Sequence, residues 1–138
     1  TLSMPPYLEA GVDVRLGTDG AASSGSGLNL LAEARLASLV QRHDHWDATM
    51  MTASQAFAMA TKDSQDWVAW NLDDIRMHPR GRSDNRHLAN LVFNGTDCLD
   101  VWAQGRALRR DGATLSIDER AAASALNEAV ESYYEDVE

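Results

Sequence analysis

The feature that most limits what this chain can fold into is the stretch VRLGTDGAASSGSGLNLLAEARLASL, beginning near Val14. Val12, Val14 and Leu16 alternate as strand residues do, and the run then passes Asp19 and a loop of Gly, Ala and Ser. From Leu28 to about Arg42, Leu28, Leu31, Leu36, Leu39 and Val40 recur at helical spacing, which predicts a helix with a broad apolar face. A strand, a small-residue turn and a helix make a βα unit. In α/β folds, groups that meet ligands sit just past the carboxyl end of such a strand, which is where this reading places Asp19. An aspartate there also suits an Asx-turn that merely starts the loop, and the pattern alone leaves both roles open.

The flanking segments carry their own signals. Pro5 and Pro6 can open a short helical turn that Gly11 ends. Thr52 with Gln55 three residues on is a capping box ahead of AFAMA, so a second helix follows. After Thr61 the character changes. Trp67 to Leu72 alternates, and LVFNG, CLDVWAQGRALRR and DGATL are runs separated by Asn94-Gly95, Gln104-Gly105 and Asp111-Gly112, which predicts a small antiparallel meander. Ser116 with Glu119 reads as another capping box, and Ala122, Leu126, Ala129, Val130 and Tyr133 then mark one face of a closing helix. The expected segments are therefore 1–62, 63–115 and 116–138.

Length and charge narrow the function classes. A chain of 138 residues is the size of one ordinary domain, and its 44% hydrophobic and 24% charged residues are the proportions of a water-soluble globular protein. No apolar run approaches the ~20 residues that span a bilayer, so neither a membrane anchor nor a signal peptide is expected. A net charge of -9 opposes a polyanion, because nucleic-acid affinity comes mainly from Lys and Arg on phosphates. RMHPRGRSDNRH and GRALRR are short basic runs of the kind that form solvated faces. The single Cys98 forbids an internal disulfide, fits a reducing cytoplasm and reads as a small buried hydrophobe.

Several constellations imitate active sites. GTDGAASSGSG resembles a phosphate-holding loop, but it lacks a Walker lysine, and Asp19 would repel an anion. His43 and His45 imitate paired metal ligands, yet residues two apart point about 200° apart on a helix. They suit a helix C-terminus better. His78 and His87 have no ligand spacing. Ser23, Ser24 and Ser26 lack a His/Asp arrangement and suit helix capping.

AGVDVRLGTDGAASSGSGLNLLAEARLASLVQR, MTASQAFAMAT and VFNGTDCLDVWAQGRALRRDG together resemble the amidohydrolase superfamily. The likeness is to the aminohydrolase branch that acts on methylthioadenosine, S-adenosylhomocysteine, guanine-type bases and chlorotriazines. The resemblance implies an α/β chain, the C-terminal βα portion of a metal-dependent TIM barrel with a small antiparallel β segment and a C-terminal helix. It implies that Asp19 is the last-strand aspartate that contacts a divalent metal, zinc before iron or manganese, and takes a proton from the attacking water. It implies hydrolysis of a C–N or C–Cl bond on a purine-, nucleoside- or triazine-like ring, with a small heteroaromatic substrate. The family's His-x-His, further histidines and acid/base glutamate would lie upstream of Thr1, a start that is expected to be processed, trimmed or excerpted. KDSQD stands where the family has a longer Gly-rich connection, and Ser24 where it often has asparagine. The chain alone is therefore expected to be inactive. As a non-catalytic remnant or interaction module it would pair with another chain, and the uncovered strand Val12–Leu16 predicts an oligomer or a missing N-terminal part.

Overall fold

A computed structural model describes residues 2–20, 27–62 and 64–137. Contacts group the chain into two compact units, Thr1–Ser64 with Leu72–Thr96, and Gln65–Asn71 with Asp97–Glu138.

The first unit is helical. Helix α1, Pro5–Glu9, begins on two prolines that need no helical N–H partner and stops before Gly11, whose φ of 70° is left-handed. Helix α2 spans Leu30–His45, with the Asn29 side chain accepting from the N–H groups of Leu31 and Ala32. Asn29 therefore caps it; Ser23, Ser24 and Ser26 lie outside the described residues. Trp46 ends the helix in the left-handed conformation, and the Asp47 N–H returns to the Arg42 carbonyl at 3.2 Å. Helix α3, Ala53–Thr61, carries the reciprocal Thr52–Gln55 capping box. A 3₁₀ turn at Ile75–Met77 leads to helix α4, Asp84–Asn94.

Ala34 and Ala56 are completely buried, and Met4, Met51, Ala53, Met59 and Val92 close around them. Val14, Leu16, Phe57, Ala89 and Phe93 pack on this cluster half-buried. Arg42 joins its parts: its Nε donates to the Met50 carbonyl at 3.1 Å, and its guanidinium lies 4.9 Å from the centre of the Phe93 ring.

Three expectations for this unit are corrected. Val12–Leu16 is not a strand; it runs without a ladder, and its Leu16 N–H donates 3.0 Å to the Met59 carbonyl at α3. Among the described residues no strand pairs with it, and helix α3 supplies the partner of Leu16. LVFNG is not a strand either, but the end of α4, because Leu88, Leu91 and Val92 fall at helical spacing and Leu91 and Val92 turn inward together. Asn90 fixes that orientation by donating to the carbonyls of Met77 at 2.8 Å and Pro79 at 3.2 Å. Thus residues 72–96 fold with the first unit, although the sequence places them among strands. Finally, the broad apolar face expected on α2 is turned around: Ala34, Ser38 and Gln41 are buried while Leu36 and Leu39 are exposed.

The second unit is an antiparallel sheet in the order β1-β2-β3-β4, comprising Trp67–Trp70, Cys98–Ala103, Arg106–Arg110 and Ala113–Thr114. Gln104-Gly105 and Asp111-Gly112 make its tight turns with all four φ values positive, as the Asn/Asp/Gly-type hairpin signal requires. Trp67 pairs with Trp102 across β1 and β2, and the two rings stack at 5.4 Å. Cys98 is half-buried rather than fully buried, and burial raises its thiol pKa. Helix α5, Glu119–Val137, follows. Its first N–H groups are capped by Asp118, which accepts from Arg120 and Ala121 at 3.0 Å each. Glu119 instead turns to Arg109 and Thr114, so the expected Ser116–Glu119 box is replaced. Residues 119–135 of α5 are all exposed, including Leu126, Val130 and Tyr133.

Gln41 links α2 to the preceding chain: its Oε1 accepts the Met4 N–H at 2.9 Å, and its Nε2 donates to the Leu2 carbonyl at 2.8 Å. Replacing it by Ala strands a buried backbone N–H. Gln41→Ala is expected to destabilise the chain by about 1–3 kcal/mol in urea or thermal unfolding; no loss would show that the amide carries nothing.

Candidate active site

Asp19 stands at the end of an extended segment that the fold anchors three times. Val14 and Leu16 rest on the core, the Leu16 N–H reaches Met59, and Asp13 clamps the segment to the end of α3. The clamp consists of Lys62 Nζ at 2.6 Å from one Asp13 oxygen and Arg15 Nη2 at 3.0 Å from the other, with Arg15 Nη1 also donating to the Lys62 carbonyl at 3.4 Å. Hydrogen bonds from Lys62 and then Arg15 hold the Asp13 carboxyl below its usual value. Sequence reasoning missed this clamp, because the partners are separated by nearly fifty residues; alternation around Val12–Leu16 gave no signal for it.

At Asp19 the chain turns left-handed, with φ of 56°. Its Oδ1 accepts the Gly20 N–H at 2.7 Å, and the Thr18 hydroxyl donates to the Asp19 carbonyl at 3.2 Å. Left-handed backbone in a non-glycine residue costs energy and concentrates at turns and functional sites, and aspartate is among the residues that tolerate it. The geometry shows the turn-forming role, a carboxylate that accepts the next N–H at the end of an anchored segment. The small-residue loop that follows, residues 21–26, lies outside the described residues.

The histidines are dispersed. His43 packs its ring on Trp46 at 5.9 Å, His45 Nε2 is 3.2 Å from the Ser3 hydroxyl, and His78 Nδ1 is 3.1 Å from the Asp74 carbonyl. Among the described residues no three His, Cys, Asp or Glu side chains gather as a metal cage. In RMHPRGRSDNRH, Arg76 pairs with Asp74 at 2.6 Å and Arg80 with Asp73, which neutralises part of that basic run.

Residues 1–73, which contain the anchored segment, Asp19, α2 and α3, match the amidohydrolase family. The chain belongs to that family. A 5'-deoxyadenosine deaminase of Methanocaldococcus jannaschii is 31% identical over 132 residues, covering 84% of this chain and 30% of that protein. A 5-methylthioadenosine/S-adenosylhomocysteine deaminase of Pyrococcus abyssi is 32% identical over 130 residues, again 84% of this chain and 30% of the relative. The chain thus spans about three-tenths of the length of these relatives. Among solved structures, an adenosine deaminase from Xanthomonas campestris with bound zinc superposes with a TM-score of 0.74 at 21% identity, over 88% of this chain and 31% of that one. This amidohydrolase chain therefore shares its fold with part of that enzyme: α/β, with a small antiparallel sheet and a C-terminal helix.

Two measurements follow from the local geometry. Asparagine keeps a side-chain acceptor and tolerates left-handed backbone, so Asp19→Asn should leave stability within about 0.5 kcal/mol. Asp19→Ala loses both properties and should cost about 1 kcal/mol or more; thermal melts in which Ala is neutral would remove the turn-forming role. The Asp13 clamp has a pH signature. Because the folded pKa is depressed, its stabilisation is complete above the usual value of 3.8 and is lost as pH falls through the lower folded value. Lys62→Met should accordingly flatten the stability curve below pH 3.8, measured by chemical unfolding at stepped pH; an unchanged curve would mean the clamp is not linked to folding.

Proposed function

We propose that this chain is the C-terminal βα portion of a metal-dependent TIM-barrel hydrolase, which replaces an amino group by water on a purine- or nucleoside-like ring. The carrying observation is Asp19 itself: a carboxylate at the end of an anchored extended segment, inside the residues that match the amidohydrolase family. The names of the relatives, deaminases of 5'-deoxyadenosine and of methylthioadenosine or adenosylhomocysteine, favour an adenosine-type ring over a triazine and a C–N over a C–Cl bond.

In this reading Asp19 is a metal ligand and the general base. As water adds to the ring carbon that bears the amine, the carboxylate accepts its proton; that proton is then passed to the amine nitrogen, so that the C–N bond breaks with ammonia as the leaving group and the carboxylate is regenerated. The metal would be zinc, in keeping with the zinc bound by the Xanthomonas enzyme, with iron and manganese as the other candidates. The described residues do not themselves make that site. Zinc in a catalytic site takes three protein ligands, and Asp19 supplies one. The remaining imidazoles and the acid/base glutamate belong to other residues of the full enzyme. The substrate is a small heteroaromatic molecule, and the enzyme works in the cytoplasm. No helix among the described residues is long and apolar enough to cross a membrane.

A second reading, a non-catalytic module that pairs with another chain, is favoured by one observation: residues 119–135 of α5 expose every side chain, although Leu126, Val130 and Tyr133 share a face.

Whether this chain by itself carries a complete site is tested by assaying the 138-residue chain with adenosine-type, guanine-type and triazine substrates in the presence of zinc. No turnover and only weak zinc uptake in equilibrium dialysis are expected, because one carboxylate cannot hold and activate the metal. Turnover that disappears in Asp19→Asn would show that this chain carries a complete site.

A further inference from the structure

Three glycines in this chain follow an aspartate or an asparagine: Asp19-Gly20, Asn94-Gly95 and Asp111-Gly112. Such pairs share one latent reaction, attack of the glycine nitrogen on the preceding side-chain carbonyl carbon, and glycine permits it because no Cβ crowds the approach. What the glycine nitrogen does in the folded chain sets the three apart. The Gly95 N–H donates to the Leu91 carbonyl at 3.0 Å at the end of α4, and the Gly112 N–H donates to the Leu99 carbonyl at 2.9 Å. The Gly20 N–H donates to Oδ1 of Asp19 itself, at 2.7 Å. A C–O bond of about 1.2 Å joins that oxygen to Cγ, so the nitrogen lies within about 3.9 Å of the carbon it would attack. Holding two reacting groups together in this way supplies part of the barrier in advance. Backbone strain does not distinguish the two aspartates, since both are left-handed, with φ of 56° at Asp19 and 47° at Asp111.

We propose that Asp19-Gly20 is a site of spontaneous covalent modification, at which the chain cyclises to a succinimide and reopens as isoaspartate. In the first step the Gly20 nitrogen bonds to Cγ of the Asp19 carboxylic acid. The Cγ–O bond breaks, and the oxygen departs as water with the amide hydrogen and the acid hydrogen. In the second step water adds to one of the two imide carbonyls. Opening at Cγ restores aspartate; opening at the backbone carbonyl leaves the main chain running through Cβ and Cγ, with the carboxylate on Cα. The water released is the water consumed, so the conversion needs no other reactant. Both reacting atoms belong to adjacent residues, and the inference requires no uncovered surface. The product has one more methylene in its main chain at residue 19 and a carboxylate displaced from its former place. Its consequence for catalysis rests on the proposed function, in which that carboxylate is metal ligand and base; the modification itself rests on the local geometry alone.

The test is incubation of the folded chain in neutral buffer at body temperature for several weeks. Trypsin digestion and mass spectrometry with electron-transfer fragmentation, which tells isoaspartate from aspartate, then locate the product. Trypsin releases Asp19 in the peptide 16–35, where it is the only aspartate. Asp111 is the matched control, with the same residue type, a following glycine and left-handed backbone. Isoaspartate is expected to accumulate at residue 19 at least about fivefold faster than at residue 111. In concentrated urea the two rates should converge, because the bonds that separate them are gone. Gly20→Ala, which crowds the nitrogen, should slow conversion at residue 19 about tenfold and leave residue 111 unchanged. Equal rates at 19 and 111 in the folded chain, no conversion at 19, a difference that persists in urea, or conversion indifferent to Gly20→Ala would each overturn the proposal. The readout is peptide mass and fragmentation rather than turnover, so its failure and the failure of the proposed function are separate results.

Discussion

The packing at Ala34 and Ala56 is the contact on which the rest of the first unit depends. Both are completely buried, one on α2 and one on α3. A methyl group at each position lets two helices approach closely, where larger side chains would hold them apart. Flexible methionines at 4, 51 and 59 then fill the irregular space around the alanines, a task suited to an unbranched, polarizable side chain. That seam sets the line along which Val14 and Leu16 lie, because the Leu16 N–H donates to the Met59 carbonyl in the last turn of α3. The location of Asp19 is thus a consequence of helix packing several residues away.

The same seam explains why α2 presents leucines outward. Close approach at Ala34 rotates the helix so that Ser38 and Gln41 come in with it, and Gln41 then satisfies Met4 and Leu2 in place of water. Ser38, by contrast, is buried with no hydrogen-bond partner recorded for its hydroxyl. A polar residue is tolerated inside where its groups are paired, and a backbone segment lacking a strand neighbour is a natural partner for an amide. Hydrophobic counting ranks Leu36 and Leu39 above Ala34 and Gln41, so it chooses the opposite face.

Much of the local architecture was legible. The Thr52–Gln55 capping box, the proline start of α1 and the Gln104-Gly105 and Asp111-Gly112 turns that join β2, β3 and β4 all rest on interactions close in sequence, and all are present. LVFNG was read as a strand because a short apolar run has the same composition in a strand and in a buried helix. The long-range bonds of Asn90 to Met77 and Pro79 accompany the helical answer, and Asn94-Gly95, a hairpin signal elsewhere, becomes a helix end with Gly95 at φ of 71°. At the candidate site, the position of Asp19 beyond an apolar run was visible, and so was its family. Its left-handed backbone and the Asp13–Lys62–Arg15 clamp were not.

The sequence by itself determined what chemistry could be present: one carboxylate in a Gly-Thr-Asp-Gly setting, an acidic chain ill-suited to phosphate, and histidines without ligand spacing. It also determined the Thr52–Gln55 cap and the tight turns, since those bonds close over three or four residues and need no distant partner. Tertiary structure decided which faces are inside and what holds the segment before Asp19. Those outcomes depend on how closely Ala34 and Ala56 allow two helices to approach and on an ion pair closed between Asp13 and Lys62. Burial and long-range pairing are properties of the packed chain, and no periodicity within a single element encodes them.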